Sequence, residues 1–151
     1  MMAVNLRKIE GNWDAGYALD KHIVSSVYTG DNEAGYPTFD TTRTAIGEAV
    51  FQLKYRQDWS KAGGLASAVA KSVVPLLGNI VLIVPMPAST PRSRQPVTEV
   101  ALELAKRHRQ LELAPSSEGQ FWSTEAAPHV TMLRWRGCRR TEVTEIRFGK
   151  R

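Results

Sequence analysis

Pro87-Ala88-Ser89-Thr90-Pro91-Arg92 holds the groups of this chain best suited to chemistry. The backbone N–H groups around Ala88–Thr90 and the hydroxyls of Ser89 and Thr90 are of the kind that cradle phosphate oxygens. Arg92 or Arg94 adds a charge-assisted contact. The same residues also suit a stiff proline-rich connection without a ligand, since the spacing is neither a Walker nor a dinucleotide fingerprint. Lys54 and Arg56 form a second cationic pair, near the end of a predicted helix where cations are favoured anyway. No catalytic residue and no metal ligand is nominated. His22, His108 and His129 are scattered without HxH or HExxH spacing, and His108 reads as a surface or capping residue. Cys138 is the only cysteine, which excludes an internal disulfide framework and a cysteine zinc site.

The elements that must position these groups follow from periodicity. Asn79 to Val84 reads as a strand buried on both faces, running straight into the loop. A helix is predicted from about Pro96 to His108, with Val97, Val100, Ala101 and Leu104 on its apolar face and a proline in its first turn. Upstream, Ile46, Ala49, Val50 and Leu53 predict a helix over about 42–55, with Asp40, Thr41 and Thr42 as candidate caps. Leu65, Val69 and Val73 predict a second helix over about 61–74, capped by Ser60 and ended by Pro75. Helix, strand, loop, helix is most of a parallel α/β unit, and such sheets bind ligands beyond the carboxyl ends of their strands. Leu111-Glu112-Leu113 is a candidate second parallel strand. Residues 1 to about 29 read as a hairpin or short meander with a turn at Gly11-Asn12, and residues 30–37 as a loop.

The length of 151 residues fits one domain with an appendage. No apolar run reaches the roughly 18 residues of a membrane span, and the N-terminus lacks the apolar middle of a signal peptide. A cytoplasmic protein is expected. The net charge of +5 sits at one end: from Arg134 onward seven Lys or Arg face two Glu, and the rest is neutral. Arg134-Trp135-Arg136-Gly137-Cys138-Arg139-Arg140 interleaves arginines with an indole. That suits single-stranded DNA, through phosphate pairing and stacking. An unselected, irregular tail has the same composition. Beyond Pro115 only Thr144–Phe148 reads as a short strand, and the abrupt change of composition also suits a shifted reading frame.

Several separated segments together resemble the front half of ComF-like proteins, which belong to the type I phosphoribosyltransferases. They are Gly16-Tyr17-Ala18-Leu19-Asp20, Phe39-Asp40-Thr41-Thr42-Arg43, Ile46-Gly47-Glu48, Gln52-Leu53-Lys54-Tyr55-Arg56, Ile83-Val84-Pro85-Met86-Pro87 and Pro91-Arg92. The resemblance covers roughly residues 13 to 113. It implies an incomplete phosphoribosyltransferase-like domain over 1–113, followed by an irregular basic C-terminal tail over 114–151. The fold class it implies is α/β: a partial phosphoribosyltransferase-type parallel sheet with helices and an N-terminal β hairpin. It implies phosphoribosyl pyrophosphate as substrate, Mg²⁺ carried by that substrate, and pyrophosphate binding by Pro87, Ala88, Ser89, Thr90 and Arg92. Lys54 and Arg56 are secondary candidates.

The chain departs from that family in one respect that bears on activity. The family's later strand ends in two acidic residues and a threonine-rich loop, which hold the ribose and the 5′-phosphate. After Leu113 this chain has no Asp, and its four Glu are isolated. Classical members also carry an N-terminal cysteine zinc site, which is missing. A truncated transferase with weak or no activity is therefore expected, or a non-catalytic accessory protein that contacts DNA through its tail. In either case an open sheet edge is expected to pair with another copy.

Overall fold

The computed structural model describes residues 2–11, 15–78, 80, 82–86, 92–108, 112–113, 130–135 and 143–148, the last three stretches by their backbone alone. The chain is a mixed α/β structure with two sheets and three α-helices among the described residues. In chain order these are β1 (Arg7–Lys8), β2 (Gly16–Lys21), β3 (Ile23–Asp31), β4 (Pro37–Arg43), α1 (Ala45–Tyr55), α2 (Lys61–Ser72), a 3₁₀ turn (Val74–Leu76), β5 (Leu82–Pro85), α3 (Pro96–Arg107), β6 (Glu112–Leu113), β7 (Val130–Trp135) and β8 (Val143–Phe148).

The larger sheet has the order β1-β2-β8-β7-β5-β6. Its β6-β5-β7 part is parallel, with Leu82 beside Glu112 and beside Val130. The rest is antiparallel, through β7–β8, β8–β2 and β2–β1. The sheet is therefore mixed where a parallel one was expected. The difference comes from the C-terminal region. The irregular tail expected over 114–151 supplies two strands, and β8, the one legible in the sequence, enters antiparallel between β7 and β2. Alternation in Thr144-Glu145-Ile146-Arg147-Phe148 marks β8, whereas Val130-Thr131-Met132-Leu133 has no such alternation to reveal β7.

α1, α2 and α3 pack side by side on this sheet, α1 and α2 against β2, and α3 against β5, β6 and β7. One core joins Leu19 of β2, Ile46, Val50 and Leu53 of α1, Leu65 and Val69 of α2, Ile83 of β5, and Val100, Ala101 and Leu104 of α3. Burying a side chain of this size contributes about 1.5–3 kcal/mol. β5 is not buried equally on both faces, as its unbroken apolar run suggested. Ile83 and Pro85 are buried, whereas Leu82 and Val84 are half-buried.

α1 begins at Ala45, three residues later than its apolar spacing suggests, and its cap is Thr44. The Gly47 N–H donates to Thr44 Oγ1 at 2.9 Å, and that hydroxyl donates to the Lys21 carbonyl at 2.7 Å. Thr41 and Thr42 belong to β4 instead, as suits β-branched residues on a pleated surface. The expected 30–37 loop is narrower, a hairpin turn over Asn32–Tyr36. Asn32 Oδ1 accepts from the Ala34 and Tyr36 N–H groups, and Gly35 takes a φ of 75°. No helix of the described residues is long and apolar enough to cross a membrane.

Candidate functional site

β5 delivers the chain to the carboxyl edge of the parallel part of the sheet, and α3 carries it back. Pro87, Ala88, Ser89 and Thr90, nominated for pyrophosphate binding, lie outside the described residues. Arg92 is described and exposed. Its Nη1 donates to the carbonyl oxygen of Lys54 at 3.1 Å. A contact 38 residues apart in sequence thus joins the segment after β5 to the last turn of α1, at the Lys54 carbonyl, two residues before Arg56.

The local backbone explains why these groups gather. α1 ends through Arg56, whose N–H donates to the Gln52 carbonyl at 3.1 Å. Gln57 then takes a φ of 57°, and the Asp58 N–H donates to the same carbonyl at 3.0 Å. The last carbonyls of a helix lack intrahelical donors and carry its negative dipole end. Arg92 supplies one of the missing donors. That contact uses one of five guanidinium N–H groups, leaving the rest able to meet an anion.

Aromatic rings hold the neighbouring cations. Arg43 lies 3.8 Å from the Phe51 ring centroid and Arg56 6.0 Å from it, while Lys54 Nζ lies 5.1 Å from that of Tyr55. Phe51 and Tyr55 are themselves 5.3 Å apart, centroid to centroid. Arg94 is committed elsewhere: its guanidinium lies 4.5 Å from the Trp59 ring and bonds Glu99 at 2.7 Å. That bond, more than any other contact, holds the Glu99 carboxyl below its usual range and raises the Arg94 guanidinium. Asp58 is also held low, first by the Ser60 hydroxyl and then by Lys61. Glu99, Asp58 and Glu48, the last with Arg43, thus have partners, while Arg56 and Arg92 have no carboxylate partner among the described residues. The arrangement leaves the charges of Arg56 and Arg92 without a neutralising carboxylate among the described residues. No cluster of three His, Cys, Asp or Glu suited to a metal occurs among the described residues.

Neither described histidine joins this site. His22 is buried after β2, and its carbonyl accepts the Thr44 N–H at 3.3 Å. His108 closes α3 through its own N–H, which is shared by the Leu104 and Ala105 carbonyls at 3.2 Å each. His129 and Cys138 lie outside the described residues. The ring contacts around Phe51 escaped the sequence reading. Their only signal there is a Phe one helical turn before Tyr55, which an ordinary core face also produces.

No protein family, curated protein or solved structure matches this chain.

Proposed function

We propose that the chain is a ComF-like relative of the type I phosphoribosyltransferases, and that its site takes the pyrophosphate end of phosphoribosyl pyrophosphate. One observation carries the reading. Arg92, just beyond the loop leaving β5, sits against the end of α1 beside Lys54 and Arg56, with no carboxylate of its own among the described residues. In this reading β6-β5-β7 is the partial parallel sheet of the family, and Pro87–Thr90 with Arg92 form the pyrophosphate loop. Mg²⁺ comes with the substrate, since it keeps several waters and is held largely by phosphate oxygens. The described residues offer it no cluster of ligands, so no step is assigned to it. Phosphoribosyl transfer breaks the bond between the anomeric carbon and pyrophosphate, and the ribose must be oriented for that. The missing acidic pair removes that grip, so transfer is weak or absent in this chain.

Calorimetry tests the proposal. Pyrophosphate and phosphoribosyl pyrophosphate, each with Mg²⁺, bind in the micromolar range, and Arg92→Ala weakens both at least about tenfold, roughly 1.4 kcal/mol. Arg92→Lys keeps the charge but not the fork and gives an intermediate value. A wild-type protein that binds neither compound at millimolar concentration sinks the reading.

A second reading, a non-catalytic accessory protein that contacts single-stranded DNA, is favoured by strand direction. β7 runs parallel to β5 with Leu133 beside Pro85, so the chain leaves both strands at the same edge. Arg136, Arg139 and Arg140 follow β7 in sequence. Replacing all three by Gln is the suitable probe, because deleting 134–151 removes β8 from the sheet. Salt-sensitive binding of single-stranded DNA that this triple variant loses, without affinity for pyrophosphate, favours the accessory protein.

A further inference from the structure

We infer that Gln57 is a positioning residue of the proposed anion site: its left-handed turn sets the two seats on which the segment after β5 is clamped, and through them the place of Arg92. What Arg92 binds rests on the pyrophosphate reading; how Arg92 is held does not. Two arginines of that segment, two residues apart, dock on the connection between α1 and α2. Arg92 donates to the Lys54 carbonyl, before the turn, and the Arg94 guanidinium lies 4.5 Å from the Trp59 ring centroid, after it. Gln57 stands between the two seats. At a φ of 57° it is the only non-glycine residue with a positive φ among the described residues.

The turn makes both seats. Had α1 run on, the Asp58 N–H would meet the Lys54 carbonyl, four residues back. Beyond the left-handed residue it reaches the Gln52 carbonyl instead, at 3.0 Å, so the Lys54 carbonyl is left for a donor from outside the helix. The same reversal leads the chain into α2. The Trp59 N–H donates to the Gln57 carbonyl at 3.0 Å, and Asp58 Oδ1 accepts both the Ser60 N–H, at 3.1 Å, and the Ser60 hydroxyl. These bonds hold Trp59, half-buried against the core, as the seat for Arg94, which Glu99 grips from the α3 side at 2.7 Å. A non-glycine residue stays left-handed only where its surroundings over-determine it, and such positions gather at ligand clamps. Gln57 is exposed, so core packing does not impose the conformation.

Gln57→Val tests this, because a β-branched residue is a genuine outlier at positive φ, while the exposed position spares the core. Two measurements are made on the full chain. The first needs no ligand: nitrogen-resolved NMR follows solvent exchange of the Arg92 guanidinium hydrogens. Exchange is slowed in the wild type, about tenfold faster in Gln57→Val, and slow again in Gln57→Gly, which takes the turn without steric cost. The second is calorimetry with pyrophosphate and Mg²⁺. Gln57→Val weakens binding about fivefold, and Gln57→Gly restores it. In an Arg92→Ala background Gln57→Val has almost no further effect, since it acts through Arg92. Circular dichroism checks the fold, and Gln57→Thr, also β-branched, replaces a Gln57→Val that does not fold. Arg92 exchange indifferent to the β-branched substitution overturns the inference, as does a loss of affinity that persists in full without Arg92. A wild type that binds no pyrophosphate sinks the pyrophosphate reading instead, and the exchange measurement then decides how Arg92 is held.

Discussion

Glu99 lies in the first turn of α3, where the helix dipole already favours a carboxylate, and Arg94 donates to it at 2.7 Å. Its carboxyl therefore titrates below the ordinary glutamate range, mainly through that bond, against some desolvation and with help from the charges of Arg94 and Lys106. A depressed folded value contributes stability above the unfolded value and loses it as pH falls through the folded one. Glu99→Gln is accordingly expected to flatten the fall of stability as pH drops through and below the ordinary glutamate range. Parallel urea-unfolding curves for the two proteins across that window contradict this. Gln57 offers a second check. At a φ of 57° it pays a steric cost that glycine does not. Gln57→Gly is expected to gain up to about 1 kcal/mol in urea unfolding, and Gln57→Val to lose stability. At this scale the sequence shows residue types and little of their partners. Arg92, Lys54 and Arg56 stand out as cations near a strand end and a helix end. That Arg92 closes on the Lys54 carbonyl depends on how β5 and α1 sit in space, and no local spacing encodes it.

α1 meets β2 at a point of close approach. A Cβ on Gly47 would collide with the His22 carbonyl, a backbone atom that cannot swing aside. Gly47→Ala is expected to cost about 2 kcal/mol, within the 1–3 typical of overpacking, and to lower the melting midpoint measured by circular dichroism. The glycine has no positive φ, so space alone demands it. The helices were legible because three or four apolar residues at helical spacing leave little choice. The start of α1 was not, because Asp40, Thr41 and Thr42 serve equally as caps or as strand residues. Ser26 and Thr29 across the hairpin decide for the strand. β4 is hard to recognise in the sequence for the same reason: its apolar residues are exposed, so the burial pattern that betrays most strands is missing.

β8 is the strand on which the whole molecule turns. It lies between β7 and β2, pairing Gly16 with Arg147 and Arg134 with Glu145. Without it the N-terminal strands and the parallel strands have no ladder in common. A chain stopped after Glu142 is expected to lose its sharp urea transition and unfold gradually. An unchanged transition would show that the helix layer alone binds the two parts. Composition pointed the other way here: a region rich in Arg, Ser and Trp, without Asp, reads as a tail. Two strands whose partners lie far away in sequence leave only a faint local trace. The pairing of β2 with β8 also bears on how the molecule is born. On a ribosome adding about 5–20 residues per second, β2 emerges roughly ten seconds before β8 exists. During that wait β2 lacks the partner that β8 supplies, and the nascent chain presents that unpaired edge to whatever is near. An edge left unpaired in this way is a site for wrong pairing until the last strand arrives.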